Sequence, residues 1–379
     1  MTLLLNNKHL SNSPLGIYIH IPFCNKKCSY CNFYSGVVEA KRVAEYLKAL
    51  IKEIKTWGGK ICRPVNSVYI GGGTPSVLGA DIALVLNAVR DSFHLLKDSE
   101  ITVELNPEKD CEEFLYSAYN FGANRLSIGL QSANDDELDL LGRRHKAKDA
   151  ENTVLKARKI GFKNISLDIM LGLPDSNIKK LENSLLFLKD LNPEHISAYI
   201  LKLEEKTALS KRYDLNFPDS DEISEQYLFM CKYLESIGYS HYEISNFAKE
   251  DKESCHNLKY WQCEEYLGIG PAAHSFLDGR RFFYPADMKE FINSPKTVFD
   301  SLGGEIDEYI MLNLRLKKGL SFDNLFKLYG FTLNEDLKKF INLLESKNLA
   351  QFKNNTLFLT DDGMLVSNTV IGELLERIL

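Results

Sequence analysis

The stretch that decides the fold is Ile17-Tyr18-Ile19-His20-Ile21-Pro22-Phe23-Cys24-Asn25-Lys26-Lys27-Cys28-Ser29-Tyr30-Cys31. Its first half is an apolar run that predicts a buried strand, and its second half is a loop that leaves this strand. Three thiols lie within eight residues of the loop, so their sulfur atoms can converge on one centre. An iron–sulfur cluster normally takes four cysteine thiolates, and a zinc site held only by protein takes four donors. Three cysteines therefore predict a metal centre with one position open to a ligand that is not protein.

Two other interpretations of this loop stay open. The three thiols could simply be reduced cysteines, or they could bind zinc with His20 as the fourth ligand. Soft thiolate ligands suit either zinc or an iron–sulfur cluster, whereas a set of three with one open position favours the cluster. The candidate metal ligands are Cys24, Cys28 and Cys31.

The composition indicates an ordinary globular protein. Apolar residues make up 44% and charged residues 26% of 379 residues, enough for a sizeable core. The net charge of −6 argues against a general nucleic-acid binder, which needs a basic surplus. The apolar run at the amino terminus is too short for a signal peptide, and no segment reaches eighteen apolar residues, so we expect a cytoplasmic protein. In that compartment the eight cysteines are not a disulfide framework.

A strand–loop–helix unit repeats from residue 16 to about residue 200. The pattern predicts six strands, at 16–21, 67–70, 100–105, 125–128, 164–169 and 195–200. Between them, apolar residues at helical spacing predict helices at 43–57, 78–93, 112–121 and 181–188. Strands that alternate with helices pair in parallel through right-handed crossovers, so the fold class is α/β. The pattern alone leaves open whether the sheet is doubly wound or a curved, partial barrel.

Unusual residues follow five of these strands, near their carboxyl ends. They are the three cysteines, then Gly71-Gly72-Gly73-Thr74-Pro75, Glu104-Leu105-Asn106-Pro107, Gly129-Leu130-Gln131-Ser132, and Asp168 with Gly172-Leu173-Pro174. In parallel α/β folds this edge of the sheet is where ligands bind. Each motif alone could be turn or capping chemistry. Five of them on one edge predict a binding site.

The glycine triplet allows a ligand to approach the backbone closely. It lacks the lysine of a phosphate-binding loop and the spacing of a dinucleotide fingerprint. A small zwitterion that chelates the open iron is the better candidate. Glu104, Gln131, Arg143 and Asp168 could then supply the hydrogen bonds and charges that fix the rest of that ligand.

These motifs resemble those of the radical S-adenosylmethionine (SAM) superfamily. The spacing Cys24-x3-Cys28-x2-Cys31 is similar to its cluster motif, and Gly71 to Pro75 resembles its methionine-binding motif. More narrowly, the chain resembles the oxygen-independent coproporphyrinogen oxidase group and its relatives, the heme chaperones of the HemW group. That resemblance lies in 18–24, 125–131, 167–174 and 242–248, and it covers about residues 16–320.

The resemblance implies cofactors and site residues. Cys24, Cys28 and Cys31 would bind a [4Fe–4S] cluster whose open iron is chelated by SAM. The expected SAM contacts are Tyr18, Gly72, Gly73, Thr74, Glu104, Gln131, Arg143 and Asp168. If the radical reaction occurs, an electron donor such as flavodoxin or ferredoxin would be a partner. The resemblance leaves open whether the protein is an enzyme.

Position 33 separates the oxidases from the chaperones. The oxidases carry another cysteine two residues after the third ligand, where this chain has Phe33, and they carry a longer amino-terminal arm. The segment His256-Asn257-Leu258-Lys259-Tyr260-Trp261 is similar to a HemW motif, and His256 is a candidate heme ligand. We therefore expect a protein that binds heme as cargo and passes it to acceptor hemoproteins. The alternative is an oxygen-independent coproporphyrinogen III oxidase, and for His256 the alternative is an ordinary loop with a buried tryptophan.

The predicted organisation is a short segment 1–15, a partial (β/α)6 radical SAM barrel at 16–215, a family-specific extension at 216–304 and a C-terminal winged-helix-like domain at 305–379. In the last domain we expect helices at 306–316, 323–328, 334–344 and 364–375, and a hairpin of 349–352 with 356–359. Its nine Lys and Arg against eleven Asp and Glu disfavour DNA binding. A peripheral membrane contact and a homodimer stay open.

Overall fold

The computed structural model describes residues 13–109 and 111–378, so most of the predicted segment 1–15 lies outside the described residues. None of the helices within that part of the chain is both long and apolar enough to cross a membrane. Up to residue 211 the elements are β1 (Leu15–Ile21), β2 (Phe23–Cys24), β3 (Gly36–Val37), α1 (Ala40–Gly58), β4 (Val65–Gly72), a 3-10 helix (Pro75–Asp81), α2 (Ile82–Ser92), β5 (Leu95–Leu105), α3 (Glu112–Asn120), β6 (Arg125–Gln131), α4 (Asp135–Leu140), α5 (Ala147–Ile160), β7 (Ile165–Leu171), α6 (Ile178–Leu191), β8 (His195–Ile200) and a 3-10 helix (Leu209–Lys211).

The remaining chain forms shorter elements. As far as residue 302 they are α7 (Ser220–Ser236), β9 (Ser240–Glu243), β10 (Asn246–Ala248), α8 (Cys255–Trp261), β11 (Tyr266–Ile269), β12 (His274–Leu277), β13 (Arg280–Phe283), α9 (Met288–Asn293) and β14 (Val298–Leu302). The C-terminal part contains α10 (Ile306–Asn313), β15 (Leu320–Ser321), α11 (Phe322–Tyr329), α12 (Glu335–Ser346), β16 (Ala350–Lys353), β17 (Thr356–Leu359), α13 (Asp361–Leu365) and α14 (Ser367–Ile378).

The strand order identifies the type of parallel sheet. The six strands of the repeat lie side by side in chain order, as β1, β4, β5, β6, β7 and β8. A doubly wound sheet would reverse its order at a switch point, so that helices cover both faces. Here the order never reverses, so right-handed crossovers put the helices on one face. The predicted partial (β/α)6 barrel is confirmed, and the doubly wound alternative is excluded.

The two faces of these strands differ in chemistry. Side chains such as Val68, Val103 and Leu167 belong to the main hydrophobic core, which also includes the crossover helices. Because side chains alternate along a strand, the intervening positions face the inside of the barrel. They are mostly polar, and they include Ser67, Tyr69, Thr102, Glu104, Arg125, Ser127, Ser166, Asp168, His195 and Ser197. The barrel therefore has a polar lumen.

Further strands lengthen the sheet at both edges. β10 pairs antiparallel with β8, and β9 pairs with β10. At the other edge β11 pairs in parallel with β1, and β12, β13 and β14 continue antiparallel to a total of twelve strands. The sequence did not predict these strands because they are three to five residues long, too short to show a period.

The predicted strands of the repeat are all present, and two predicted helices differ in detail. The helix expected at 78–93 starts as a 3-10 helix, and Gly79 adopts a left-handed φ of 54° that kinks the segment before α2. The helix expected at 364–375 is two helices: α13 begins after its Thr360 cap and ends at Leu365, and α14 begins at Ser367. In both places local capping or backbone conformation overrides an apolar pattern that continues across the break.

The C-terminal part has the strand and helix order of a winged helix. The predicted hairpin is present as β16 and β17, and β15 joins β17 to make a three-stranded sheet after α10. Helices α11 and α12 lie between β15 and the hairpin in the chain. The helical C-terminal domain is therefore confirmed.

A largely buried cluster of polar side chains joins this C-terminal part to the barrel extension. Cys231, His241 and Asp361 bring a thiol, an imidazole and a carboxylate within 4.8 Å of one another. This set could hold a metal ion, but the Lys317 ammonium already pairs with Asp361, whose Oδ1 lies 3.1 Å from His241 Nδ1. These contacts also hold the pKa of Asp361 well below its usual value, His241 contributing most. We interpret the group as a charge-paired clamp between the two parts.

Asp361→Asn is expected to lower the free energy of unfolding by about 1–3 kcal/mol, because it leaves the partly buried Lys317 ammonium without its anionic partner. The exposed neighbour Asp362→Asn is the matched control, with an expected change below about 0.5 kcal/mol. Urea denaturation of both variants measures the difference. Equal stability of the two variants would contradict the clamp.

Candidate functional site

One cavity of about 380 Å³ opens at the carboxyl ends of the parallel strands. Its size lies within the roughly 300–1,000 Å³ typical of small-molecule sites. Twelve residues were predicted to bind the cluster, SAM or heme. Ten of them line this cavity: Cys24, Cys28, Cys31, Gly72, Gly73, Thr74, Glu104, Gln131, Arg143 and Asp168. The other two are Tyr18 and His256, the predicted heme ligand, and both are described below.

The cysteine loop forms one wall of the cavity. Cys24 is buried on β2, and Cys28 and Cys31 are partly exposed on the loop that follows. The loop is anchored at Ser29, whose N–H donates to Leu141 O and whose carbonyl accepts from Leu209 N. No other described cysteine lines the cavity. The three thiols therefore share one open space, as the sequence predicted.

His20 is not available as a fourth ligand. Its side chain is buried, with Nδ1 2.9 Å from the Tyr18 hydroxyl and Nε2 2.9 Å from Tyr34 O. Both ring nitrogens are therefore engaged, and His20 does not line the cavity. This geometry disfavours zinc with His20 as its fourth ligand. It also places Tyr18 behind the wall, where it orients His20 and does not itself face the cavity.

The glycine loop packs closely against its own protein. A Cβ on Gly71 would lie 2.7 Å from the Glu104 carboxyl carbon, and one on Gly73 would lie 2.6 Å from Phe23 O. Gly72 has a φ of 112°, and a Cβ there would overlap the His20 ring. The glycines are thus required for packing as well as for the backbone approach to a ligand that the sequence suggested.

Glu104 is held at the centre of this wall. It accepts hydrogen bonds from Tyr69 Oη at 2.7 Å and from Gly72 N at 3.1 Å. Burial raises the pKa of Glu104 to about 7, although both donors oppose that shift. The carboxyl group therefore exchanges a proton near neutral pH, where a bound cation would favour its ionised form.

The pKa of Glu104 is higher in the folded protein than in the unfolded chain, so ionising this carboxyl group destabilises the ligand-free fold. Relative to Glu104→Gln, the free energy of unfolding of the wild-type protein should fall as pH rises from about 5 to about 8, by roughly 2 kcal/mol. Paired urea denaturation curves at several pH values measure this difference. A difference that does not change with pH would contradict the raised pKa.

Arg143 connects two walls through hydrogen bonds. Its Nη1 donates to Asn106 Oδ1 at 2.7 Å, Asn106 Nδ2 donates to Thr74 Oγ1 at 3.1 Å, and Thr74 Oγ1 lies 3.4 Å from Cys24 Sγ. Nη2 donates to the Tyr30 hydroxyl at 2.5 Å. Among the described residues, Arg143 Nε is buried and has no hydrogen-bond partner. Such an orphaned donor at a cavity wall fits an anionic or polar ligand.

Asp168 and Gln131 also line the cavity. Asp168 accepts from Ser127 Oγ at 3.2 Å, and burial raises its pKa against the effect of nearby hydroxyls and Arg125. Gln131 follows an irregularity in the pairing of β6 with β7 and has a φ of 70°. This backbone conformation is uncommon for a residue with a side chain. It puts the Gln131 side chain in the cavity wall.

His256 is not placed as predicted for a heme ligand. It is fully buried, with Nδ1 3.0 Å from Ser67 Oγ and Nε2 2.9 Å from the Tyr260 hydroxyl. Burial lowers the pKa of His256 to about 3, so the ring is neutral. Because both nitrogens are engaged and the ring has no exposed surface, this structure does not support heme ligation by His256. Its neighbour Asn257 lines the cavity instead.

Sequence reasoning missed several residues of the cavity wall. They are Tyr69, Asn106, Arg125, Ser127, Met170, Ser197, Tyr199 and Asn257. Six of them lie on strands, at alternate positions of otherwise apolar segments. Strands covered by helices on both faces read as continuous apolar runs. Polar residues at every second position of these strands could therefore have predicted that one face of the sheet lines a polar lumen.

Comparison with known proteins identifies the family. Residues 18–188 match the model of the radical SAM superfamily, and residues 305–366 match that of the HemN C-terminal domain. The chain is 36% identical over 378 residues to the heme chaperone HemW of Bacillus subtilis. That alignment covers 95% of this chain and 99% of the relative. It is 41% identical over 265 residues to the mitochondrial radical S-adenosyl methionine domain-containing protein 1 of Bos taurus, covering 68% and 60% of the two chains.

A solved structure shares the fold. Coproporphyrinogen III oxidase (HemN) from Escherichia coli, described as a radical SAM enzyme, aligns with a TM-score of 0.81 at 22% identity. The alignment covers 96% of this chain and 90% of the oxidase. The match to the family model and the three-cysteine cavity define a member of the radical SAM superfamily. Within that class, the chain belongs to the HemW family. Membership of the superfamily implies a [4Fe–4S] cluster and SAM as cofactors.

Proposed function

We propose that this protein binds heme and delivers it to acceptor hemoproteins, using a domain that also binds a [4Fe–4S] cluster and SAM. The observation that carries the proposal is the likeness to a heme chaperone over nearly the whole length of both chains. The site supports it at one position. Phe33 stands where the resemblance expects a cysteine in the oxidases, and it lines the cavity.

The residues of the cavity fit both cofactors. Cys24, Cys28 and Cys31 would hold the cluster, and no fourth cysteine of the described chain lines the cavity, so one coordination position would stay open to another ligand. The chemistry that the bound cofactors would supply, given an electron from an external reductant, is reductive cleavage of SAM to methionine and a 5′-deoxyadenosyl radical. The chain itself contributes binding and orientation.

The proposed SAM contacts are Gly72, Gly73, Thr74, Glu104, Gln131, Arg143 and Asp168, with Tyr18 acting from behind the wall. Glu104 and Asp168 offer acceptors to an amine or to hydroxyls, and Arg143 Nε offers a donor to a carboxylate. The mixture of acceptors and donors suits a zwitterionic nucleoside. An electron donor such as flavodoxin or ferredoxin would be needed only for the radical reaction.

We place heme at the mouth of the cavity, beside Phe33. The Phe33 side chain is 69% exposed, and Lys27 and Lys26 line the same space. Heme combines a flat apolar face with two carboxylates, so an exposed ring beside ammonium groups matches both of its features.

Phe33→Ala is expected to weaken heme binding about 10- to 150-fold, because losing the burial of one aromatic ring costs roughly 1.5–3 kcal/mol. Phe299→Ala is a matched control, since Phe299 is 60% exposed on the edge strand β14, away from the cavity. Titration of purified protein with heme, followed by the Soret absorbance, measures the affinities. Equal affinity of the two variants would contradict this placement, and absence of heme binding by the wild-type protein would contradict the function.

The second candidate is oxygen-independent oxidation of coproporphyrinogen III. The shared fold and the match to the HemN C-terminal domain favour keeping it as an alternative. An anaerobic assay with reductant, SAM and coproporphyrinogen III distinguishes the two functions. Formation of the vinyl product would favour the oxidase, whereas heme binding without conversion would favour the chaperone.

A further inference from the structure

Helix α8, which carries the His256–Trp261 segment, lies within the amino-terminal end of the barrel lumen. The Glu100 carboxylate on β5 accepts from the backbone N–H groups of Cys255 and His256, each at 3.2 Å. The N–H of Ser254, just before the helix, donates to Tyr242 Oη, which lies 2.8 Å from His195 Nε2 at the start of β8. The helix is therefore tied to strands on both sides of the lumen.

Helix α8 packs closely against β1 at a glycine, Gly16. Gly16 on β1 faces the helix, and a Cβ there would lie 2.7 Å from Lys259 Cδ and 3.2 Å from His256 Cε1. A larger residue at this position would force the Lys259 and His256 side chains to shift. The sequence thus provides a close approach between β1 and α8 inside the barrel.

His256 reaches the cofactor wall through Tyr69. The two rings lie 5.5 Å apart, and His256 Nδ1 is held 3.0 Å from Ser67 Oγ on the same strand as Tyr69. Tyr69 Oη in turn donates to Glu104, which accepts from Gly72 N of the glycine loop. A series of direct contacts therefore runs from the buried imidazole to the loop proposed to bind SAM.

Asn257 is the residue of this segment that faces the cavity. It is partly exposed and lines the same space as Tyr69, Glu104 and Arg125. An amide supplies both donors and an acceptor, so it can bond to a ribose hydroxyl or to a base. The segment thus presents one residue to the ligand and buries its neighbour against the wall.

We propose that α8 is the floor of the cofactor cavity, where Asn257 contacts the bound nucleoside and His256 is a positioning residue that holds Tyr69 and Glu104 in place. This inference rests on the proposed binding of SAM. It assigns the segment to the SAM site and not to heme coordination.

The test uses the full-length protein after anaerobic reconstitution of the cluster. The variants are His256→Gln and Asn257→Ala, with the exposed residues His94→Gln and Asn293→Ala as matched controls. SAM affinity is measured by equilibrium dialysis, the response of the reduced cluster to SAM by electron paramagnetic resonance, and heme affinity by absorbance. Iron content and Tm report on folding, and Asn257→Ala keeps the test valid if His256→Gln does not fold.

Both variants should bind SAM about 5–20-fold more weakly than the controls, the equivalent of one or two lost hydrogen bonds. Heme affinity, iron content and the spectrum without SAM should stay unchanged. In a Tyr69→Phe background, His256→Gln should have little additional effect, because the two residues act through one contact series. Unchanged SAM affinity in Asn257→Ala, or a loss of heme binding alone, would overturn the inference. If the wild-type protein binds SAM but not heme, the proposed function fails and this inference stands.

Discussion

Replacing Cys28 with alanine is expected to remove the cluster from the protein. Two thiolates cannot hold a centre that normally takes about four cysteines and already has one position open here. Cys28 is partly exposed on the cavity wall, so its loss should leave the hydrophobic core intact. After anaerobic reconstitution, the iron content should fall from about four to below about one per chain, and the brown colour should be lost.

The matched control is Cys62→Ala, because Cys62 is exposed and does not line the cavity. It should keep the iron content and absorbance of the wild-type protein. A Cys28→Ala variant that retains a full complement of iron and sulfide would exclude this cysteine from the centre. Zinc in place of iron, in a colourless wild-type protein, would contradict the cluster itself.

Arg125→Met is expected to produce a large loss of stability. Arg125 is fully buried in the lumen and pairs with Glu100, with Nε 3.8 Å from Glu100 Oε2. Removing one partner of such a pair leaves an uncompensated buried charge, which costs about 3–5 kcal/mol. Glu100 also accepts hydrogen bonds from the first backbone N–H groups of α8, so we expect the substitution to weaken the attachment of this helix to the barrel. Urea denaturation measures the loss.

Adding Glu100→Gln to Arg125→Met should recover most of the lost stability, because the remaining charge is then removed. Arg90→Met is the surface control: Arg90 and its partner Asp91 are both more than half exposed, and exposed pairs contribute little. A loss below about 1 kcal/mol for Arg125→Met, or no recovery in the double variant, would show that the pair is not held as described.

The repeat and the position of the site could be predicted because both depend on local sequence. Each strand of the repeat has an apolar run, and each functional motif follows one directly, as Cys24 follows β1 and Gly72 ends β4. Parallel strands bring their carboxyl ends to one edge, so ten predicted residues meet in one cavity.

The remaining features depend on contacts between distant parts of the chain. Pairing of β11 with β1 joins residues about 250 positions apart, and no local pattern in a four-residue strand encodes that partner. The position of His256 likewise depends on the space left by Gly16. The similarity of this segment to a HemW motif, and the chemistry of a histidine beside aromatic residues, suggested heme, whereas their burial inside the barrel is a property of the fold.

The domain boundaries at residues 215 and 304 stay predictions, although the strands of the extension continue the barrel sheet at both edges. An extension that shares the sheet with the barrel cannot be removed without exposing the edges of β1 and β8. We therefore expect the extension and the barrel to unfold together.

The most direct test of the central claim is heme transfer from the reconstituted, heme-loaded protein to an apo-hemoprotein, followed by absorbance after the two proteins are separated. We expect stoichiometric heme binding, transfer of that heme to the acceptor, and no conversion of coproporphyrinogen III in a parallel anaerobic assay. Failure to bind heme at about micromolar concentration, or conversion of coproporphyrinogen III with no transfer of heme, would contradict that claim.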